Sequence, residues 1–400
     1  MKRGSSEVEA ALAHLDRDHL KRERRTIQAF AEPGSRVAVV VDGRPLIDFS
    51  SNDYLGLARN PAVAAAMSEC ATHAGAGSGA SHLITGHGAE HARLEEDLAV
   101  FTGRDRALLF STGYMANLAV ITTLAGRGEL VLLDRLSHAS LIDAALLSGA
   151  RFKRYTHADA ASAETVLTES SQAAAAVATD GVFSMDGDVA PLDALARASR
   201  AHDTWLVVDD AHGLGVLGKN GGGSLEHYGL DADAAPVLVG TLGKAFGSFG
   251  AFVAGSADLI ELLMQKARSY IYTTALPQPV AAAARKALEI AQRETWRRER
   301  VLALTKRFRA AATQLGLPLL AGQVLTPIQP VILGSPEAAL LAQRKLLAEG
   351  FCVVAIRPPT VPRASARLRV TLSAAHSEAQ VDALAEALSL ACARADVVCA

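Results

Sequence analysis

The sequence predicts an α/β protein: a seven-stranded, mostly parallel sheet covered by helices, with a smaller α+β unit towards the C-terminal end. Three observations predict it. Seven short apolar runs follow one another from about residue 105 to 255: "RALLF", "ELVLLD", "RFKRYT", "AAAVATD", "TWLVVDD", "PVLVGT" and "GAFVAG". Stretches with helical spacing, such as "YMANLAVITTLAG", "ASLIDAALLSG" and "LDALARASRAHD", lie between them. Strands joined by helical crossovers pair in parallel and need cover on both faces. After about residue 285 the alternation gives way to a long charged helical stretch, then "TPIQPVILG", "FCVVAI" and "RLRVTLS" as strands.

Size and charge agree. The chain has 400 residues, 50% hydrophobic and 20% charged, enough for a large core without disulfide or metal support. Lysines and arginines number 40 against 42 acidic residues, a net charge of −2, which argues against nucleic acid and membrane surfaces as partners. Cys70, Cys352, Cys392 and Cys399 form no metal-spaced set and read as small hydrophobes in a reducing compartment. No apolar run suits a signal peptide or a membrane span, so the cytoplasm is the expected location.

The elements follow in order. Residues 5 to 30 carry apolar and charged positions at helical spacing and include "KRERR" (21–25), which reads as a solvated helix face. "SRVAVVVDGRPLIDFS" places two apolar runs around Asp42-Gly43, a hairpin signal. Residues 1–48 thus form an arm of helix and hairpin, 49–285 a large α/β domain, and 286–400 the small domain. The last helix opens at Ser377 with Gln380 three residues on, a capping box.

In open α/β sheets ligands gather at the carboxyl ends of strands. Three such ends are rich in polar groups. "LLFSTGYMANL" puts Ser111, Thr112 and Gly113 where a strand meets a helix, which suits either a phosphate or a plain helix cap. "WLVVDDAHGLG" ends a strand in Asp209, Asp210 and His212; a surface turn is plausible for Asp210 and less so for Asp209. "GTLGKAFGSFG" holds Lys244 among small residues, where desolvation would lower its pKa and make it a nucleophilic amine.

Two motif matches fail on context. "GLGVLG" (213–218) fits a dinucleotide fingerprint, but "KNGGGS" follows and cannot open the required helix. "GTLGKA" is no P-loop, since Leu238 stands at the first glycine position and Ala245 at the magnesium-binding hydroxyl. A lysine, a phosphate cradle and an aspartate together make the set that pyridoxal phosphate requires.

At this point "SSNDYLGL" (50–57), "LSHASLIDAA" (136–145), "TDGVFSMDGDVAPL" (179–192), "VVDDAHGLGVLG" (207–218) and "TLGKAFGSFGAFVAGS" (241–256) resemble the α-oxoamine synthases. The resemblance covers roughly residues 15 to 390. It implies a pyridoxal-phosphate transferase of aspartate-aminotransferase type (fold type I), working as a homodimer with shared active sites. It makes Lys244 the cofactor lysine and later a base, with Thr241, Gly113 and Tyr114 on the phosphate. Asp209 would bind the ring nitrogen, His212 the ring hydroxyl oxygen, and His138 the ring face; Ser184 and Asp180 would lie nearby. Lys244, His138 and Asp209 form the implied catalytic set.

"AIRPPTVPRASARLRVTLSAAH" (355–376) further resembles the biotin-pathway branch of that family, which joins L-alanine to pimeloyl-CoA or a pimeloyl carrier protein. Arg369 would clamp the amino-acid carboxylate. Asn52, His138, Thr360 and a basic residue of the arm would meet substrate; Lys21 and Arg22 both fit, with Arg22 the expected contact. "GAGSGASHLITGH" (75–87) would complete the partner subunit's site. The alternative is a sister synthase that uses glycine or serine with another acyl-CoA.

Overall fold

The computed structural model describes residues 5–30, 37–320, 322 and 324–393, so Cys399 lies outside the described residues. The chain divides into two units. Unit 1 comprises the described residues through Ser51, Met185–Gly187, and those from Arg300 on; unit 2 comprises Asn52–Ser184 and Asp188–Glu299.

Unit 1 starts with a helix, Ser5–Arg17, shorter than the helical spacing of residues 5–30 suggested. His19, at a φ of 55°, turns the chain, and the charged run after it has no apolar face to bury. Strand β1 (Ile27–Phe30) then pairs antiparallel with β2 (Ala38–Val41), and β2 with β3 (Arg44–Asp48). The β2–β3 turn is Asp42-Gly43, with φ of 52° and 74°; two positive φ values in a two-residue hairpin loop match the twist of the strands.

Unit 2 contains the seven expected strands: β4 (Arg106–Phe110), β5 (Leu130–Asp134), β6 (Arg151–Tyr155), β7 (Ala174–Asp180), β8 (Trp205–Asp209), β9 (Val237–Thr241) and β10 (Ala251–Gly255). Their order is β4-β10-β9-β8-β7-β5-β6. Only β10 runs antiparallel, against both β4 and β9. Every position of β5 and β10 is buried, as helices on both faces require. The edge strand β6, "RFKRY", exposes its charged residues and so discourages further pairing.

Register sets the polar ends side by side. Asp180 of β7 stands opposite Asp209 of β8, and Asp209 opposite Val239 of β9. The charged stretch after residue 285 is two helices, Gln278–Arg293 and Trp296–Gln314, not one. At the break the Arg298 guanidinium donates to the Ala291 carbonyl at 2.6 Å, satisfying an acceptor that the ending helix leaves open. The "GLGVLG" segment forms turns, and the next helix begins only at Gly223.

The C-terminal part of unit 1 adds β11 (Ile328–Gly334), β12 (Phe351–Cys352), β13 (Val354–Ile356) and β14 (Ala366–Thr371). A three-stranded sheet runs β11-β14-β13, while β12 pairs in parallel with β3, giving the order β1-β2-β3-β12. The arm hairpin and the C-terminal segment therefore share a sheet. Phe308, Val331, Leu346, Leu368, Val370, Leu384 and Leu388 form the core of this unit. The capping box holds: Ser377 N–H donates to Gln380 Oε1 at 2.9 Å, and Gln380 N–H to Ser377 Oγ at 3.1 Å. Among the described residues no helix is long and apolar enough to cross a membrane.

Candidate active site

The carboxyl ends of β4, β5, β7, β8 and β9 supply one polar cluster within unit 2. After β4, Thr112 caps the helix Gly113–Leu124, its Oγ1 accepting from Met115 N–H at 3.2 Å. The cap reading is therefore real, yet it leaves room for an anion. A side chain at Gly113 would meet nothing within 4 Å, and first-turn N–H groups lack partners within a helix. Tyr114 is exposed, and its hydroxyl donates to Asp143 Oδ2, a contact that raises the phenol pKa.

Asp209 ends β8 and is buried. Its Oδ2 accepts from Asn117 Nδ2 at 2.6 Å and its Oδ1 from Ala211 N–H at 3.1 Å. Among the described residues it makes no ion pair. Its neighbour Asp210 is also fully buried, which corrects the surface-turn reading. Asp210 Oδ2 accepts from Ser224 N–H at 2.6 Å, and burial pushes its pKa up to about 7. The backbone of the "GGGS" segment meets this carboxylate.

His138 caps the helix Ala139–Ser148, its Nδ1 accepting from Ser140 N–H at 3.3 Å and lying 2.7 Å from Ser140 Oγ. Its own backbone N–H donates to Asp180 Oδ2 at 2.9 Å. Desolvation lowers the His138 pKa and Lys244 adds to this, while Asp209 and Asp143 oppose it. Burial, with the charge of Asp209 next, raises Asp180 well above the usual carboxylate range.

Lys244 follows β9 and is half-buried, less enclosed than the small residues around it suggested. Its Nζ lies 2.9 Å from His212 Nε2, and Tyr54 Oη lies 2.7 Å from His212 Nδ1. Tyr54 Oη in turn donates to Asn52 Oδ1 at 3.2 Å. With Lys244 donating, His212 carries its proton on Nδ1 and donates to Tyr54, so the chain runs one way from amine to amide. Thr241 Oγ1 donates to Gly250 O at 3.1 Å and accepts from Gly243 N–H at 3.3 Å, so its hydroxyl braces the β9–β10 loop. Ser184 lies half-buried beyond the end of β7.

The remaining expected residues lie in unit 1. Arg22 Nη2 donates to Thr360 Oγ1 at 3.3 Å, joining the two residues assigned to acyl substrate. Arg357 donates to the carbonyls of His19 and Lys21, which fixes the arm segment between them. Arg369 is buried in β14, flanked by Pro330 of β11 and Val354 of β13. Sequence reasoning missed Asn117, Ser140 and Tyr54. Asn117 did leave a trace: it is a polar residue inside the apolar run "YMANLAV", where asparagine is a poor helix former.

The family model for aminotransferase class I and II matches residues 44–388. The chain belongs to this family. Over 380 residues it is 57% identical to the 8-amino-7-oxononanoate synthase of Methylococcus capsulatus, covering 95% of this chain and 97% of that one. It is 58% identical over 370 residues to the protein of the same name from Thioalkalivibrio sulfidiphilus, covering 92% and 93%. Among solved structures it is similar to a serine palmitoyltransferase from S. paucimobilis with bound PLP and myriocin. That match has a TM-score of 0.91 at 30% identity and covers 98% of each chain. An 8-amino-7-oxononanoate synthase from Francisella tularensis matches with a TM-score of 0.75 at 32% identity, over 86% of this chain and 97% of that one. Fold type I, expected from the resemblance, holds.

Proposed function

We propose that this chain condenses L-alanine with a pimeloyl thioester to give 8-amino-7-oxononanoate, free thiol and carbon dioxide, a step of biotin biosynthesis. It is an acyltransferase, and its cofactor is pyridoxal phosphate. The observation that carries the chemistry is Asp209: a buried carboxylate without an ion pair among the described residues, one strand away from the strand that leads to Lys244. A carboxylate so placed asks for a cationic partner, and the protonated nitrogen of a pyridine ring is one. The alanine and pimeloyl assignments rest on the curated relatives, whose identity to this chain far exceeds that of the serine-using neighbours.

When bound, pyridoxal phosphate supplies an aldehyde that takes up amines and a ring that draws off carbanion charge. The residues present suit it. Lys244 Nζ would hold the aldehyde carbon, and Asp209 the ring-nitrogen proton. The first-turn N–H groups at Gly113 and Tyr114 would hold the phosphate, and His138 would cover the ring. His212 would meet the ring hydroxyl oxygen. Freed by the incoming alanine, the Lys244 amine takes the Cα proton, and His212, hydrogen-bonded to Nζ, orients it. The Cα then bonds to the thioester carbonyl carbon as the thiolate leaves. The alanine carboxylate departs as carbon dioxide, and Lys244 returns a proton to carbon. Arg369 would hold the amino-acid carboxylate, Arg22 and Thr360 would meet the acyl donor, and Asn52 would contact substrate.

We also infer a homodimer in the cytoplasm. Leu83, Ile84, Phe249 and Tyr272 of unit 2 expose large apolar surfaces that suit a second copy. The segment 75–87 would complete the partner's site.

The test is thiol release by the cofactor-loaded protein with pimeloyl-CoA and alanine, glycine or serine in turn. Release with alanine alone supports the reading; release with glycine or serine instead would make it a sister synthase. Lys244→Ala should abolish release, because one amine serves as both anchor and base.

A further inference from the structure

Asn117 reaches two groups of the site at once. Its side chain is fully buried, and its Nδ2 donates one hydrogen to Asp209 Oδ2 at 2.6 Å and the other to Ser140 Oγ at 2.8 Å. An amide nitrogen can only donate, so both recipients must accept. Ser140 Oγ, having accepted, has its own proton to give, and His138 Nδ1 lies 2.7 Å away. The Ser140 backbone N–H, which also can only donate, points at that same Nδ1 at 3.3 Å. His138 Nδ1 therefore accepts twice, and the ring carries its proton on Nε2.

The directions cannot be reversed. Turning the amide over would set its oxygen against the Asp209 carboxylate, acceptor against acceptor. Asn117 Oδ1 is itself buried with no partner, so nothing on its other side rewards a flip. From this geometry we infer that Asn117 is a positioning residue that fixes the Asp209 side chain in place and His138 as the Nε2–H tautomer. It does so from one side chain, through Ser140 on the second arm. The inference rests on the proposed reading of Asp209 and His138 as the groups that meet the cofactor ring.

Other charges face the same groups. Asp209, Asp143 and Lys244 act on the His138 ring, Asp180 binds its backbone N–H, and the charge of Asp209 acts in turn on Asp180 and Asp210. Asp209 and Asp143 favour an imidazolium at His138, while burial and Lys244 oppose it, and the donors fixed at Nδ1 decide which nitrogen of the neutral ring carries the proton.

The experiment uses holoenzyme with two substitutions. Asn117→Ala removes both arms, and Ser140→Ala removes only the histidine arm. Two readouts are taken besides turnover: the pH titration of the bound cofactor's absorbance, and the nitrogen resonances of ¹⁵N-labelled histidine, with His138→Gln as the assignment control. Asn117→Ala should shift the absorbance titration and weaken cofactor binding about 10- to 100-fold, as expected for a lost hydrogen bond to a charged acceptor. Ser140→Ala should change the His138 tautomer signal and leave the absorbance titration in place. Should Asn117→Ala fold poorly, Asn117→Asp keeps the shape and sets two carboxyl groups together, so the absorbance titration must still move. Wild-type titration and tautomer in all variants would overturn the inference. Cofactor binding left at the wild-type level by both Asp209→Asn and His138→Gln would instead count against the cofactor roles themselves.

Discussion

His157 should make unit 2 less stable as the solution turns alkaline, and the size of the effect can be worked from its contacts. The imidazole lies between two carboxylates, with Nδ1 2.9 Å from Asp134 Oδ1 and Nε2 2.9 Å from Asp188 Oδ2. Burial alone would lower its pKa, but hydrogen bonds to Asp134 and Asp188 outweigh that and raise it to about 10. The folded value lies above the unfolded one, so this contribution is complete below about pH 6.5 and disappears as pH rises through about 10. At about 1 kcal/mol per pH unit or a little more, linkage gives roughly 4 kcal/mol at pH 7, of which roughly 2 to 3 is lost by pH 9. His157→Gln has nothing to titrate there. Urea unfolding of holoenzyme at pH 7 and pH 9, for both proteins, isolates the term, because every other group titrates in each. The wild-type drop should exceed the variant's by roughly 2 to 3 kcal/mol. Equal drops in the two proteins would refute the ion-paired imidazolium.

Two further outcomes follow from close contacts. Gly247 sits at a φ of 61°, and a Cβ there would lie 2.2 Å from the Ala58 backbone nitrogen, so Gly247→Ala must displace the Lys244 loop. A loss of about 1–3 kcal/mol in unfolding, with slower thiol release, is expected. Arg22→Ala should raise KM for the acyl donor about tenfold or more and leave KM for alanine near its original value, and Thr360→Val should do the same more weakly; initial-rate kinetics in both substrates check this.

The sheet was legible because its strands obey one rule: buried on both faces, β5, β8 and β9 are nearly pure apolar runs that stop at a polar residue. The same stop marked Asp209 and the loop of Lys244 without any knowledge of register. The long helix was misread because apolar spacing continues across residue 294, and the break depends on Arg298 reaching back to a carbonyl. Residues 27–30 were misread because four residues are too few to show a period, and their pairing with β2 decides them. Asp210 was misread because the donor at its carboxylate, the Ser224 N–H, is a backbone group, and sequence patterns carry no mark of it. Tyr54 and Ser140 were missed for a related reason: each matters through one distant partner, His212 or Asn117, and no local spacing predicts either pair.

Four buried carboxylates, those of Asp134, Asp180, Asp209 and Asp210, lie at the carboxyl ends of three adjacent strands, β5, β7 and β8, and each must be made tolerable by some means. Asp134 has the His157 cation, with N–H donors from Leu136 and Ala158 at 2.7 and 2.8 Å. Asp180 and Asp210 meet the cost by holding their protons more tightly, which burial makes favourable. Asp209 has only neutral donors, Asn117 and Ala211, among the described residues. Its charge is therefore the one that the protein alone compensates least, and a bound cation would relieve it. Pyridoxal phosphate should accordingly raise the stability of the whole chain, by about 2.7 kcal/mol at a free concentration one hundred times Kd. Asp209→Asn, which is neutral and keeps the Asn117 bond through its carbonyl while losing the longer one from Ala211 N–H, should on balance stabilise the cofactor-free protein and shrink the gain on adding cofactor. Thermal unfolding of both proteins with and without cofactor measures the two effects separately. An Asp209→Asn protein that is no more stable without cofactor, and gains as much from it as wild type, would mean that the buried carboxylate is not what the cofactor answers.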